Sequence, residues 1–562
     1  MGVNLNDVLG VKNENILEDK GKKQMNMLLI LIGIIIVIIL VVTFKIISNH
    51  QKEMEKERLA SVKREVSQIS SQAMLFYEKY LQGDPDYAKL IGVDQETCSE
   101  DKRVHVEYGG QKIEYKYGYY FISREEMNDK RLLAGGSEKI KASSKEGYAV
   151  NYANGDVVYL SGHTYQGRKA YEKEDILVLD SAPIERIIIN TAEDMKKLQD
   201  SKNWNSKFYL NRDIDMSSVT DWNPVGTGTN QFNGSFDGKG YKILNFTIDS
   251  PNVSNIGLFG YVGKSGRISN LVMVNANVKG GYNTGVVAAV FSGTINDSKI
   301  GGAVTSGSSD TCGGVFGTFN GTANNILCKV DVSGKNSLGG FAGVIDGGKV
   351  NNVFVNRTVR IYGEREIGGL AGILTNTNRI DIDKSYAKAT ISASEGRAGG
   401  FIGYLTNRSS LTSNNINIKQ SYSQGQIVLC PSEGGGFIGE LLSDNVSATE
   451  IEKTFTNTQV DINCLVNRGG YVGKVNDKNT LNFNDNYWIK ANNDNDANGN
   501  EIIGVGNGSN YIAGGEFSLP VGFNHNSLNS WGSSDWILNV GQLPMIKGEP
   551  KDTDWDVLEI KK

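Results

Sequence analysis

The 562-residue chain is poor in proline, histidine and cysteine, with 8, 4 and 5 of them. His50, His105, His163 and His525 each stand alone, so no histidine pair marks a metal or catalytic centre. No His-Glu-x-x-His occurs, which excludes the helical zinc-peptidase motif. Cys98, Cys312, Cys328, Cys430 and Cys464 match neither zinc spacing nor a dense disulfide framework. They read as small buried apolar residues with at least one free thiol, and Cys312–Cys328 is the pair to test for a disulfide. The net charge of −5 provides no field that would draw nucleic acid. Scarce proline beside 67 glycines and 39% hydrophobic residues argues for tight turns in a folded protein, not for disorder.

One long hydrophobic run is present. Met27–Phe44 holds eighteen residues without a charge, and Ile46 and Ile47 extend it past Lys45. At about 1.5 Å rise per residue this nearly spans a bilayer core. No small-x-small cleavage site follows it. The reading is a cytoplasmic tail over 1–26 and a transmembrane helix over 27–47. Lys20, Lys22 and Lys23 before the run nearly balance Lys45, Lys52, Lys56 and Arg58 after it. Long C-terminal domains translocate with little regard to charge. The expected location is therefore the cell membrane, single-pass, with the C-terminal domain extracellular.

Beyond the run, Leu59, Val62, Val66, Ile69, Ala73, Phe76 and Tyr80 recur at alternating spacings of three and four, one apolar stripe on a charged helix. Gly83 and Pro85 end it. The stripe is either a seam for self-association or the face that packs on the next domain. The second is preferred because strands follow at once. Val104–Tyr108 and Lys112–Tyr117 flank Gly109-Gly110, and Tyr148–Tyr152 and Val157–Tyr159 flank Asn154-Gly155, two hairpin patterns. A half-membrane helix followed by an antiparallel sheet resembles the type IV pilin and pseudopilin layout. The resemblance is architectural and covers roughly residues 20–180. It departs at the processing site, where Lys22 and Lys23 follow Gly21 and no Glu interrupts Met27–Phe44. Residues 48–182 are expected to form an extended helix plus a small antiparallel α+β domain.

The remainder is repetitive. A Gly-Gly-Φ-x-Gly pattern, with Φ aromatic or aliphatic, ends at Gly260, at a degenerate copy closing on Ala288, and at Gly317, Gly343, Gly372, Gly403, Gly439 and Gly473, in steps of 28, 29, 26, 29, 31, 36 and 34 residues. Each later copy carries a second half, such as Val350–Phe354, Ile382–Tyr386, Ile418–Tyr422 and Ile451–Phe455. Several short strands per repeat predict coils of a right-handed parallel β-helix whose Phe, Leu, Ile and Tyr point inward. Nine or ten coils about 4.8 Å apart would make a rod of roughly 45 Å. The paired glycines are expected to allow close backbone approach and positive φ at the turns, and Asn351-Asn352 and Asn414-Asn415 to tolerate the same conformation.

The pattern resembles the GLUG repeat family of bacterial surface and secreted proteins, closest at Gly257-Leu258-Phe259-Gly260. The lead-in through Tyr209-Leu210, Asp213–Met216, Trp222, Pro224–Gly226 and Phe232–Gly240 matches as well. The resemblance covers about residues 185–550. It implies surface display and adhesive or binding roles. The expected domains are a GLUG-repeat β-helix with a terminal cap over 183–550 and a C-terminal tail over 551–562.

Candidate chemistry is thin. Carbohydrate cleavage needs clustered carboxylates, and Asp346, Asp381, Asp383, Glu433 and Glu440 do not recur in register. Asp494, Asp496 and Asn498 resemble the first half of a calcium loop, yet Val505 stands where the bidentate Glu belongs, so a solvated turn is preferred. No other cofactor and no catalytic residue is expected. Trp531 and Trp536 suit a cap closing the end of the core. The reading is a mainly β, membrane-anchored cell-surface structural or adhesive protein, held by residues 27–47, whose β-helix binds extracellular polysaccharide or protein. The alternatives are a minor pilin-like filament component with a β-helix tip and, third, a carbohydrate-active β-helix enzyme.

Overall fold

The structure is a computed structural model that describes residues 10–108, 110–127, 132, 143–181, 185–307, 311–407, 415–443, 449–461, 464, 466–477, 481–490, 505–507, 513–518, 531, 535–538 and 543–559. The chain forms two compact units. One comprises Met1–Phe76 with Phe121–Ala182, the other Tyr77–Tyr120 with Pro183–Lys562.

The first unit is built on helix α1, Gly10–Leu81. Its apolar stretch is long enough to cross a membrane, and nothing among the described residues buries it. Leu59, Val62, Val66, Ile69, Ala73 and Phe76 are all buried, as the spacing predicts. Their unit supplies an antiparallel sheet of Tyr148–Asn151, Asp156–Tyr165 and Arg168–Glu172. The Phe76 ring lies 5.5 Å from Tyr152, and Ser70 Oγ donates to the Gly155 carbonyl at 2.6 Å. Glu65, 2% exposed, accepts from the Ser143 N–H at 2.9 Å, from Ser143 Oγ at 2.6 Å and from the Tyr148 hydroxyl. Three donors satisfy this buried carboxylate and lock helix to sheet. Tyr80 remains exposed, so the covered stripe stops at Phe76.

The second unit is a parallel β-solenoid of about eight turns. Among the described residues its strands form parallel sheets of 21, 9 and 7 strands. The glycine motif is the corner between the two smaller sheets. Asn336–Gly339 ends a strand of the seven-stranded sheet, Gly340-Phe341 turns the corner, and Ala342–Ile345 opens a strand of the nine-stranded one. Corners stack through backbone hydrogen bonds, including Phe341 N to Leu370 O at 3.0 Å and Leu370 N to Phe401 O at 2.8 Å. The corner rings point inward, with Phe401 and Phe437 stacked at 4.7 Å and Phe437 and Tyr471 at 5.1 Å.

The two roles expected of glycine separate here. A Cβ on Gly399 would run into the Ile402 carbonyl oxygen and lie 2.6 Å from the Gly439 nitrogen, so close approach is what the motif needs. None of the paired glycines has a positive φ. Half of the non-glycine residues with left-handed φ stand instead in a column with one member per coil. Asn270, Asp297, Asn325, Asn352, Lys384, Gln420, Lys453 and Asp485 all have φ between 47° and 58°. Asparagine adopts this region most readily, and its amide then bonds the coil below. Asn352 Nδ2 donates to Asn325 at 3.1 Å, and Asn325 Nδ2 to Asp297 at 2.9 Å.

The disulfide expectation is corrected. Cys430 and Cys464 are bonded with Cα atoms 4.5 Å apart, whereas Cys312 and Cys328 are buried free thiols that burial pushes up in pKa. Parallel stacking pairs residues one full coil apart, and Cys430 and Cys464 are bridged in register. Cys312 and Cys328, sixteen residues apart, sit on different sheets of the solenoid wall.

The predicted hairpin at Gly109-Gly110 also forms, as His105–Tyr108 against Gln111–Glu114, and it belongs to the solenoid's unit. The Arg186 guanidinium lies 4.0 Å from the Tyr108 ring, and the buried Lys239 ammonium 4.2 Å from Tyr115. These cation–π contacts seat the hairpin on the first coils.

Candidate functional site

Not every aromatic of the repeat points inward. In the second half of each copy, Val350 and Val353 join the core, while Phe354 faces out. Strand register places Phe354, Tyr386, Tyr422, Phe455 and Tyr487 in one outward column. Ring centroids along the first four are 4.8, 5.1 and 4.7 Å apart, the spacing of stacked strands.

An outward column of rings would be an aggregation liability if left bare. The chain's own C-terminal segment covers it. Trp531, Trp536, Ile546, Trp555 and Leu558 bury themselves against the column. Trp531 and Trp536 therefore do not cap the end of the core, as expected from sequence, but strap its side. Trp536 lies 6.0 Å from Phe455 and 4.6 Å from Trp531. Charge follows the same line. Lys384 meets Asp535 at 2.8 Å, Lys388 meets Glu549 at 3.8 Å, Arg357 meets Asp552 at 3.8 Å, and Lys329 meets Glu559 at 2.8 Å. Partly exposed pairs of this kind are each worth about 0–1 kcal/mol, so aromatic burial holds the strap and the charges set its register. Burial pushes Tyr422 up in pKa, and Glu549 adds to it. Burial pushes Lys388 down, with Glu549 opposing.

Beside the strap lies an open groove of about 750 Å³. Glu549, Pro550, Asp552 and Trp555 wall it. Its floor is two short stacked columns. Thr390 pairs with Gln426 and Gln426 with Gln459, while Lys388 precedes Gln424 and Asn457 in the neighbouring column. Gln424, Gln426, Asn457 and Gln459 point into this space, and their carboxamides have no hydrogen-bond partner among the described residues. Amides stacked elsewhere on the solenoid bond one another, as in Asn324 to Asn296 at 2.9 Å and Asn275 to Asn245 at 2.8 Å.

The carboxylates singled out in the sequence fall into three separate places. Asp381 and Asp383 share one strand and line a second groove of about 410 Å³. Burial alone would raise Asp381, but hydrogen bonds from Arg379 and Asn417 outweigh it and hold it below the usual range. Burial raises Asp383. Asp381 is thus already clamped by Arg379, at 2.9 Å through both Nε and Nη2. Glu433 and Glu440 stand near one another, bridged by Lys474 at 3.6 and 3.3 Å, with Arg397 also on Glu440. Asp346 accepts from the Thr377 N–H at 3.2 Å. Asp494, Asp496 and Asn498 lie outside the described residues, and no cluster of three metal-ligating side chains occurs among the described ones. Sequence reasoning missed the groove because its amides belong to no motif. The alternation of Trp with Asp and Glu near the C-terminus was the available trace of the strap.

No family model matches the chain. Among known proteins, halomucin of Haloquadratum walsbyi is 28% identical over 244 residues, 42% of this chain and 2% of halomucin. A protein of Evansella cellulosilytica, named provisionally as a Gly-rich membrane protein, is 34% identical over 89 residues, 15% of this chain and 10% of that one. The likenesses thus span a small part of either relative. Among solved structures, a provisionally named immunoglobulin A1 protease from Bacteroides ovatus overlays with a TM-score of 0.34 and 20% identity, over 64% of this chain and 91% of its own.

Proposed function

We propose that this chain is a single-pass membrane protein that displays its solenoid outside the cell as a structural or adhesive element. The coarse part of this reading, a membrane-anchored surface protein, suits both the fold and the partial likeness to a protein named for a membrane. The observation that carries the orientation is the Cys430–Cys464 disulfide, because such bonds persist in oxidising compartments and are rare in a cytosol. The N-terminal tail then lies inside, residues 27–47 span, and the solenoid stands outside. Binding runs along its flank, where many shallow contacts add up.

Protease shaving of intact cells that express the full chain with a C-terminal tag tests this. Release of a large tagged fragment is expected. A tag digested only after lysis would reverse the topology and end the surface reading.

A further inference from the structure

We infer that the groove beside the strap is a binding site for an uncharged glycan, held by the carboxamides of Gln424, Gln426, Asn457 and Gln459. The inference rests on the surface-binding reading and names its ligand class. Three features point to it.

The first is hydrogen-bonding capacity. Each carboxamide offers two donors and a carbonyl acceptor, the mixed set that sugar hydroxyls answer. Four of them line one groove on two adjacent coils, none bonded within the described chain. The stacked asparagines of the left-handed column satisfy one another, so stacking by itself does not leave amides unpaired.

The second is charge. The charged groups facing the groove pair off, Lys388 with Glu549 and Arg357 with Asp552. The floor between them is neutral, so an anionic polymer gains nothing over a neutral one.

The third is the lack of an apolar anchor. Tyr386 and Trp555 reach the groove but are 2% and 5% exposed, already spent on the strap. Protein interfaces draw most of their energy from exposed aromatic and arginine anchors seated in pockets. A glycan lying along the solenoid axis is held instead by hydrogen bonds between its hydroxyls and the carboxamides. Two coil steps give it about 10 Å of floor.

The test is affinity electrophoresis of the full chain in detergent through gels carrying dextran, soluble starch, laminarin or galactomannan, with polygalacturonate and fibrillar collagen as comparisons. At least one neutral glycan should retard the protein. Joint replacement Q424A/Q426A/N457A/Q459A should weaken that retardation roughly tenfold or more. The isosteric set Q424E/Q426E/N457D/Q459E keeps the shape and replaces donor pairs by acceptors, so it decides the matter if the alanine variant fails to fold. Retardation by no neutral glycan, by polygalacturonate or collagen alone, or undiminished in the isosteric variant would overturn the inference. Cell shaving separates the two failures: a released solenoid that binds no glycan ends this inference and leaves surface display standing.

Discussion

The Tyr422 hydroxyl donates a 2.7 Å hydrogen bond to the Glu549 carboxylate, across 127 residues of sequence. It ties the middle of the outward aromatic column to the segment that covers it. Without that segment the rings would face water. The strap is therefore a separable layer on a solenoid that closes its own core.

Trp536→Ala should free the strap without unfolding the solenoid. A buried Trp to Ala change costs about 3–5 kcal/mol, here localised to one cover. Limited proteolysis should clip the C-terminal segment much faster while circular dichroism of the solenoid stays unchanged. Equal resistance in variant and wild type would show that the strap is held by something else.

Thiol chemistry should come in three steps. Cys98 alone is partly exposed, while Cys312 and Cys328 are buried. A thiol reagent should find one group in the native chain, three after unfolding and five after reduction. A second fast native thiol would contradict the burial of Cys312 and Cys328. The disulfide closes a loop of sequence separation 34, so its loss should cost about 3–4 kcal/mol in the coils it joins.

The corner and the left-handed column should respond oppositely to glycine. Gly399→Ala forces a Cβ against a neighbouring coil and should destabilise by about 2–3 kcal/mol. Asn352→Gly, at φ 53°, leaves the backbone unstrained and loses only the amide bond to Asn325, so it should cost about 1 kcal/mol or less. Thermal melts of the two variants check the contrast.

Alkaline pH should weaken the second unit through its tyrosines. Tyr386, Tyr422 and Tyr471 are raised above their ordinary value by burial, and Tyr241 is pushed up to about 12. The folded chain keeps these protons where the unfolded chain, titrating near pH 10, releases them. Their stabilisation is complete below about pH 10 and is lost as pH rises through the folded values. Near-ultraviolet titration should show part of the tyrosine ionising only on unfolding. Ionisation of every tyrosine near pH 10 with the fold intact would refute this.

In the first unit, Glu65→Ala leaves the Ser143 and Tyr148 donors without their acceptor. A loss of roughly 1–3 kcal/mol is expected for that unit, read as faster hydrogen exchange in strand Tyr148–Asn151. Unchanged exchange there would mean the strand does not depend on the carboxylate.

The sequence by itself determined the elements that rest on local periodicity. The charge-free run Met27–Phe44, the stripe from Leu59 to Phe76, the hairpins at Gly109-Gly110 and Asn154-Gly155 and the recurring corner at Gly-Gly-Φ-x-Gly were all legible there, because each obeys a spacing within one element or one coil. Register between coils is different, since it depends on repeat lengths that vary from 26 to 36 residues. Only the tertiary structure decided that Cys430 meets Cys464, that left-handed φ falls on the Asn352 column instead of the glycines, and that Phe354 faces out while Phe341 faces in. The groove with Gln424 and Gln459 lies further still from sequence. It exists because strands 33 residues apart stack in parallel and a distant acidic, Trp-bearing segment returns to lie beside them.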